Sequence, residues 1–170
     1  MKLIETKTLG TAAASIEFTS IPQTFTDLVV WVSTRDTTGS VTSGISINGS
    51  FLNLSSRLLQ GVGSGTPSSS SSSGIDVITA SSSRTANTFS SGQIYIPNYA
   101  STTTSKSLSI DSTEENNATE SFMRITAGLY SSNTAITSLA ITSGGGNLAI
   151  GTTISLYGIL KGSDGIVTTS

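Results

Sequence analysis

Apolar side chains recur at every second position along this chain, in short runs broken by Gly, Ser, Asn and Asp. In one such run Leu108 and Ile110 share a face, while Ser107, Ser109 and Asp111 take the other. A period of two is the signature of a half-buried strand, and no segment carries a 3.6-residue period with helix caps. The pattern predicts strands at Leu3–Leu9, Ser15–Ser20, Asp27–Arg35, Gly44–Asn48, Ser56–Leu59, Ile75–Ala80, Gly92–Ile96, Ser105–Asp111, Phe122–Leu129, Ile136–Ile141 and Thr152–Leu160. Short strands at this spacing, with turn signals between them, predict an all-β sandwich or barrel with almost no helix. Ser121–Tyr130 is the exception, because Met123, Ala127 and Leu129 would also tolerate a helical turn.

Two runs are apolar on both faces: Leu28-Val29-Val30-Trp31-Val32 and Ile154–Ile159. Strands of this kind are usually central and covered twice, once by the core and once by something else. A neighbouring subunit is the expected second cover.

Composition narrows the function classes. The 170 residues fit one domain, read as residues 1–170 with short terminal arms at about 1–9 and 162–170. Charged residues make up 11 % and the net charge is −2, so no nucleic-acid groove and no anionic-membrane footprint is expected. Cysteine and histidine are absent, which removes disulfides, thiolate sites, His-based metal sites and Ser-His catalysis. No apolar run approaches the roughly 20 residues of a membrane helix. Met1-Lys2-Leu3-Ile4-Glu5 lacks the apolar core of a secretory signal, so use without classical export is expected.

The remaining chemistry is thin. Asp111, Glu114, Glu115 and Glu120 form an acidic patch with hard oxygen donors suited to Ca²⁺, but without EF-hand spacing. A solvated connection between two strands is the expectation there. Asp27, Asp36, Asp76 and Asp111 are carboxylates of the kind that glycosidases pair, yet they fall mostly at strand ends, where Asp serves turns. Gly144-Gly145-Gly146 precedes a strand rather than a helix, so it reads as a turn and not a phosphate cradle. Asn48-Gly49 reads as a type I′ turn. The low-complexity piece Gly61–Gly74, with its six consecutive serines, is expected to be a surface loop or an excursion at a strand edge. No cofactor and no metal is expected, and no enzymatic activity.

Several blocks carry a resemblance as well: "SIEFTSIPQTFTDLVVWVSTR", "ISINGS", "IYIPNYASTTTSKSLSIDSTEENNATESFMRITAGLYSSNTAITSLAIT" and the closing "GTTISLYGI". In order and content they resemble a family of small structural proteins of tailed phages, frequent in aquatic and cyanobacterial phages. The resemblance runs from about Glu17 to Ile159. It implies a jelly-roll-like antiparallel β-sandwich and a place in the virion, on the capsid exterior, after assembly in the host cytoplasm. The implied role is capsid decoration: the protein, expected as a homotrimer, would bind neighbouring major capsid subunits or another virion protein. The alternative is a tail or head fibre or adaptor component that binds host-surface glycans. The family supplies no catalytic residues. The expected interface residues are Leu3, Ile4, Trp31, Tyr95, Tyr157, Ile166 and Val167, apolar or aromatic groups on the two-faced strands and the terminal segments.

Overall fold

The computed structural model describes residues 1–117 and 120–160. Among them there are twelve strands and no helix: β1 (Lys2–Thr8), β2 (Ser15–Phe18), β3 (Phe25–Ser33), β4 (Thr42–Ile47), β5 (Leu54–Val62), β6 (Ser68–Ser72), β7 (Asp76–Ile78), β8 (Ser91–Ile96), β9 (Lys106–Glu114), β10 (Phe122–Tyr130), β11 (Leu139–Ser143) and β12 (Thr153–Leu160). They form an eight-stranded sheet, β1-β12-β3-β8-β9-β10-β5-β6, and a four-stranded sheet, β2-β11-β4-β7. Every pairing within them is antiparallel.

The strand order resolves into a core and an annex. Without β5, β6, β9 and β10, the sheets read β1-β12-β3-β8 and β2-β11-β4-β7. In that core each successive strand crosses to the opposite sheet except β7, which pairs with β4 in the smaller sheet, and the first and last strands lie side by side. This is the jelly roll, which buries one face of each sheet against the other. The annex consists of two hairpins, β5–β6 and β9–β10, added in one direction beyond β8.

Alternation builds the core directly. Leu28, Val30 and Val32 on β3, Ile94 and Ile96 on β8, and Ile154 and Leu156 on β12 all point inward and are buried. Ile45, Ile47, Leu139 and Ile141 meet them from the smaller sheet, with Ile16 and Phe18 beside them. The Ile-Pro-Gln-Thr turn is fixed from below: Tyr99 donates its hydroxyl hydrogen to the Pro22 carbonyl, and the Gln23 amide donates to the carbonyls of Ile21 and Ile136. Asn48 and Gly49 both have positive φ, at 52° and 72°, as a type I′ turn requires.

Two segments differ from their expected form, and a third, Phe122–Tyr130, is the strand that its pattern predicts. The serine run is β6, an edge strand hydrogen-bonded to β5 through pairs such as Leu58↔Ser70. Backbone pairing needs no apolar side chain, so an all-serine strand is possible where nothing has to be buried. Met1–Leu9 is not a free arm, because β1 pairs with β12 in its own sheet. Its hydroxyls reinforce the pairing, Thr6 to Ser155 at 2.9 Å and Thr8 to Thr153 at 2.8 Å. The second expected arm, 162–170, lies outside the described residues. Phe122–Tyr130 is a full strand with no helical turn.

Gly158 marks the tightest packing in the jelly roll. A Cβ built there would lie 2.3 Å from the Phe25 ring, closer than any side chain can approach. Gly158→Ala is therefore expected to destabilise the fold by about 1–3 kcal/mol through overpacking, as measured by urea unfolding. In a Phe25→Leu background the same substitution should cost markedly less.

Candidate functional surface

The outer face of the eight-stranded sheet is the largest regular surface of the molecule. Register places one row across the whole sheet: Leu3, Tyr157, Val29, Tyr95, Ser109, Ala127, Arg57 and Ser71. The next row runs Thr6, Ser155, Trp31, Gln93, Asp111, Ile125, Leu59 and Ser69. Two apolar tracts stand on this face. One lies on the jelly-roll half around Trp31, and the other on the annex around Ile125. The outward column of β9, Ser107, Ser109, Asp111 and Thr113, separates them.

The first tract collects most of the expected interface residues. Leu3 is exposed and Trp31 is 44 % exposed. Tyr95 and Tyr157 are half-buried and flank Val29, which is only 4 % exposed. The second cover expected over β3 is thus partly supplied by its own neighbours: two tyrosine rings in the same face close over Val29. Asp27 fixes this end of the face, accepting the Tyr95 hydroxyl at 2.9 Å and the Asn98 amide at 2.9 Å. Ile4 does not join the tract. The register shift between Leu3 and Glu5 turns it inward, where it packs against the core. Ile166 and Val167 lie outside the described residues.

The second tract was missed from sequence. Along β10 the inward residues are Phe122, Arg124, Thr126, Gly128 and Tyr130, and the outward ones Met123, Ile125, Ala127 and Leu129. The middle of the strand is inverted, with its polar side chains inside. Met123 is 69 % exposed and Ile125 61 %, and Leu59 of β5 stands beside Ile125. The signal was present in "FMRITAGL", where the Arg and Thr share a parity opposite to Met, Ile and Leu.

Beneath the annex, buried polar groups stand beside the apolar Leu108, Ile110 and Tyr130. The Arg124 guanidinium donates to Asp76 Oδ1 at 2.7 Å and twice to Gln60 Oε1. Burial raises the Asp76 carboxyl above its usual range, and the charge of Arg124 opposes that shift. Arg84 lies 3.5 Å from Glu114 and 2.7 Å from Glu120, with its guanidinium over the Phe122 ring. At the other end of β9, the Lys106 ammonium is enclosed by the carbonyls of Ser101, Ser132 and Thr134 at 2.7, 3.2 and 2.8 Å.

The acidic patch divides accordingly. Asp111 points outward, while Glu114 is buried against Arg84 and Asn116. Glu114 is thus part of a strand interior, not of a solvated connection. Among the described residues, no three acidic groups converge into a metal-ligating cluster. Asp36 is also engaged locally, accepting from the Thr38 amide and hydroxyl and from the Ser143 hydroxyl. Comparison with family models, curated proteins and solved structures finds no match to the chain.

Two outcomes follow for these buried groups. Lys106→Met removes the ammonium that donates to three inward carbonyls and is expected to cost about 1.5–3 kcal/mol in chemical denaturation. Since Asp111 and Glu114 face opposite sides of β9, EDTA is expected to leave the melting temperature unchanged in calorimetry. A fall of several degrees would instead assign the Glu114–Glu120 segment to Ca²⁺.

Proposed function

We propose that this chain is a structural protein of a tailed-phage virion that decorates the capsid exterior and binds neighbouring major capsid subunits. The observation that carries the proposal is the broad outer face of the eight-stranded sheet. Seven strand spacings make it about 33 Å wide, and it presents exposed Trp31, Met123 and Ile125 rather than a single deep cleft. A wide face with separate apolar tracts suits contact with a protein lattice. The jelly roll is found in capsid and lectin domains alike, so the fold supports the reading without deciding it. The family resemblance of the sequence blocks points the same way.

The mechanism of such a protein is mechanical. It joins adjacent shell subunits and so slows their separation. With 11 % charged residues, an ionic grip is weak, since exposed ion pairs are worth about 0–1 kcal/mol and are screened by salt. Apolar contact and backbone pairing at the free sheet edges supply the attachment instead.

A second reading, a fibre or adaptor component that binds host glycans, is favoured by one feature. A shallow depression of about 330 Å³ brings the Tyr95 ring beside Ser107 and Ser109. An aromatic face next to hydroxyls is a surface on which a sugar can stack.

Electron cryomicroscopy of purified particles separates the two. Decoration predicts copies spread over the head in register with the shell, retained when salt is raised from about 0.05 to 0.5 M, a range over which the screening length falls severalfold. Copies confined to the tail, together with glycan-array binding abolished by Tyr95→Ala, would establish the second reading. Loss from the head on raising salt alone would refute apolar attachment.

A further inference from the structure

We infer that the inverted strand β10 is a self-association surface, on which a second copy of this chain docks about a twofold axis running along the strand. Leu59, Met123, Ile125 and Leu129 are 54, 69, 61 and 39 % exposed. At roughly 200 Å² for each residue fully exposed, they present on the order of 400 Å², the size at which an exposed patch usually has a function. Pro67 continues the patch along Leu59 and Met123. In the middle of the same strand the inward residues are Arg124 and Thr126, so the outward Met123 and Ile125 do not serve to build the core. A specific interface takes about 800 Å² per partner, with an apolar centre and a polar rim. The apolar stripe supplies half of that area, and the serines and threonines on either side supply the rim.

Charge selects the occupant and its orientation. On the β9 side of the stripe, Asp111 stands opposite Ile125. On the β5 side, Arg57 stands opposite Ala127. Both point outward and both are exposed. Two sheets packed face to face lie about 10 Å apart. A twofold axis between them along β10 carries the β5 side of one copy over the β9 side of the other. Each Asp111 then lies diagonally across from the partner's Arg57, offset by about 7 Å along the strand, on both flanks of the stripe. A twofold axis in the same plane but across the strands would set Asp111 against Asp111 and Arg57 against Arg57. The face is therefore self-complementary in one arrangement and self-repelling in the other. The apolar stripe provides affinity, and the two charges provide register.

This pairing goes beyond the decoration reading and does not depend on it, because it is a property of the isolated chain. It uses the annex half of the face and leaves the Trp31 tract free for another contact. The test is sedimentation equilibrium of the full chain in dilute salt. The wild type is expected to associate reversibly in multiples of two. Ile125→Glu changes only an outward side chain, so it should keep the wild-type circular dichroism and melting curve. It should also halve the associated mass, weakening pairing by at least about 30-fold, as loss of a central hot spot does. Asp111→Arg and Arg57→Asp should each weaken pairing, and the double variant should restore it. A wild type without even-numbered association at high micromolar concentration overturns the inference. If Ile125→Glu then also fails to bind capsids, the stripe belongs to the shell contact; if it binds normally, the stripe is covered by the chain's own residues 161–170 or by nothing. Restoration failing in the double variant overturns the twofold along β10.

Discussion

Two sheets of unequal width set the terms for everything else in this molecule. Four strands cover four, and the eight-stranded sheet extends beyond its partner by the width of β9, β10, β5 and β6. A sheet face left open to water on its inner side would expose the side chains of Leu108, Ile110 and Tyr130. The chain closes that side with the short strand β7 and the loops beside it. Ile75 lies over Gly128 and Leu108, and Ser112 Oγ accepts the Ile78 amide from β7. The loop after Ala80 folds over the end of β9, held by Arg35, whose guanidinium donates to the carbonyls of Arg84, Thr85 and Thr88.

Loops carry polar backbone, and the annex interior accordingly holds a buried cation, Lys106, beside its apolar Leu108, Ile110 and Tyr130. Carbonyls and amides from such segments need partners once buried. Lys106 answers three carbonyls at once, and Arg84 and Arg124 bridge between strands and the covering segments. On the inward side of β10, Arg124 is satisfied by the side chains of Asp76 and Gln60, whereas the Thr126 hydroxyl is buried without a partner among the described residues. The outward Met123, Ile125 and Leu129 have no such account among the described residues. Their exposure is a feature of the surface and has to be explained by what the surface meets.

Legibility in the sequence followed the same boundary. Where two sheets pack, burial decides the pattern: the strand from Gly92 was readable by alternation, and those from Asp27 and Thr152 by apolar runs on both faces. The jelly-roll order was not, since alternation fixes faces but not neighbours; it entered only through the family resemblance. In the annex, hydrophobicity misleads. β10 carries apolar residues at both parities, and its outward ones suggested a helical turn. The serine run shows no alternation at all, so only its backbone pairing with β5 makes it a strand. Ile4 failed for a local reason, a register shift that no pattern marks. Glu114 was hidden because an acidic run looks solvated, whereas its partner Arg84 is thirty positions away in sequence.

The hydroxyl column of β9 gives this surface its logic. If the outer face were apolar from β1 to β6, a subunit would present one continuous sticky plane and aggregate through it in many registers. Ser107, Ser109, Asp111 and Thr113 interrupt the plane with a strip that prefers water. The Trp31 tract and the Ile125 tract are then too small to drive indiscriminate association singly, and each is bordered by groups that reward one alignment over others. The proposed decoration role would call for contacts of this kind: weak enough one at a time to correct misplacement, and directional enough to add up when several copies are in register. In the proposed decoration role, low net charge would serve the same end, because highly charged copies brought close together would repel one another.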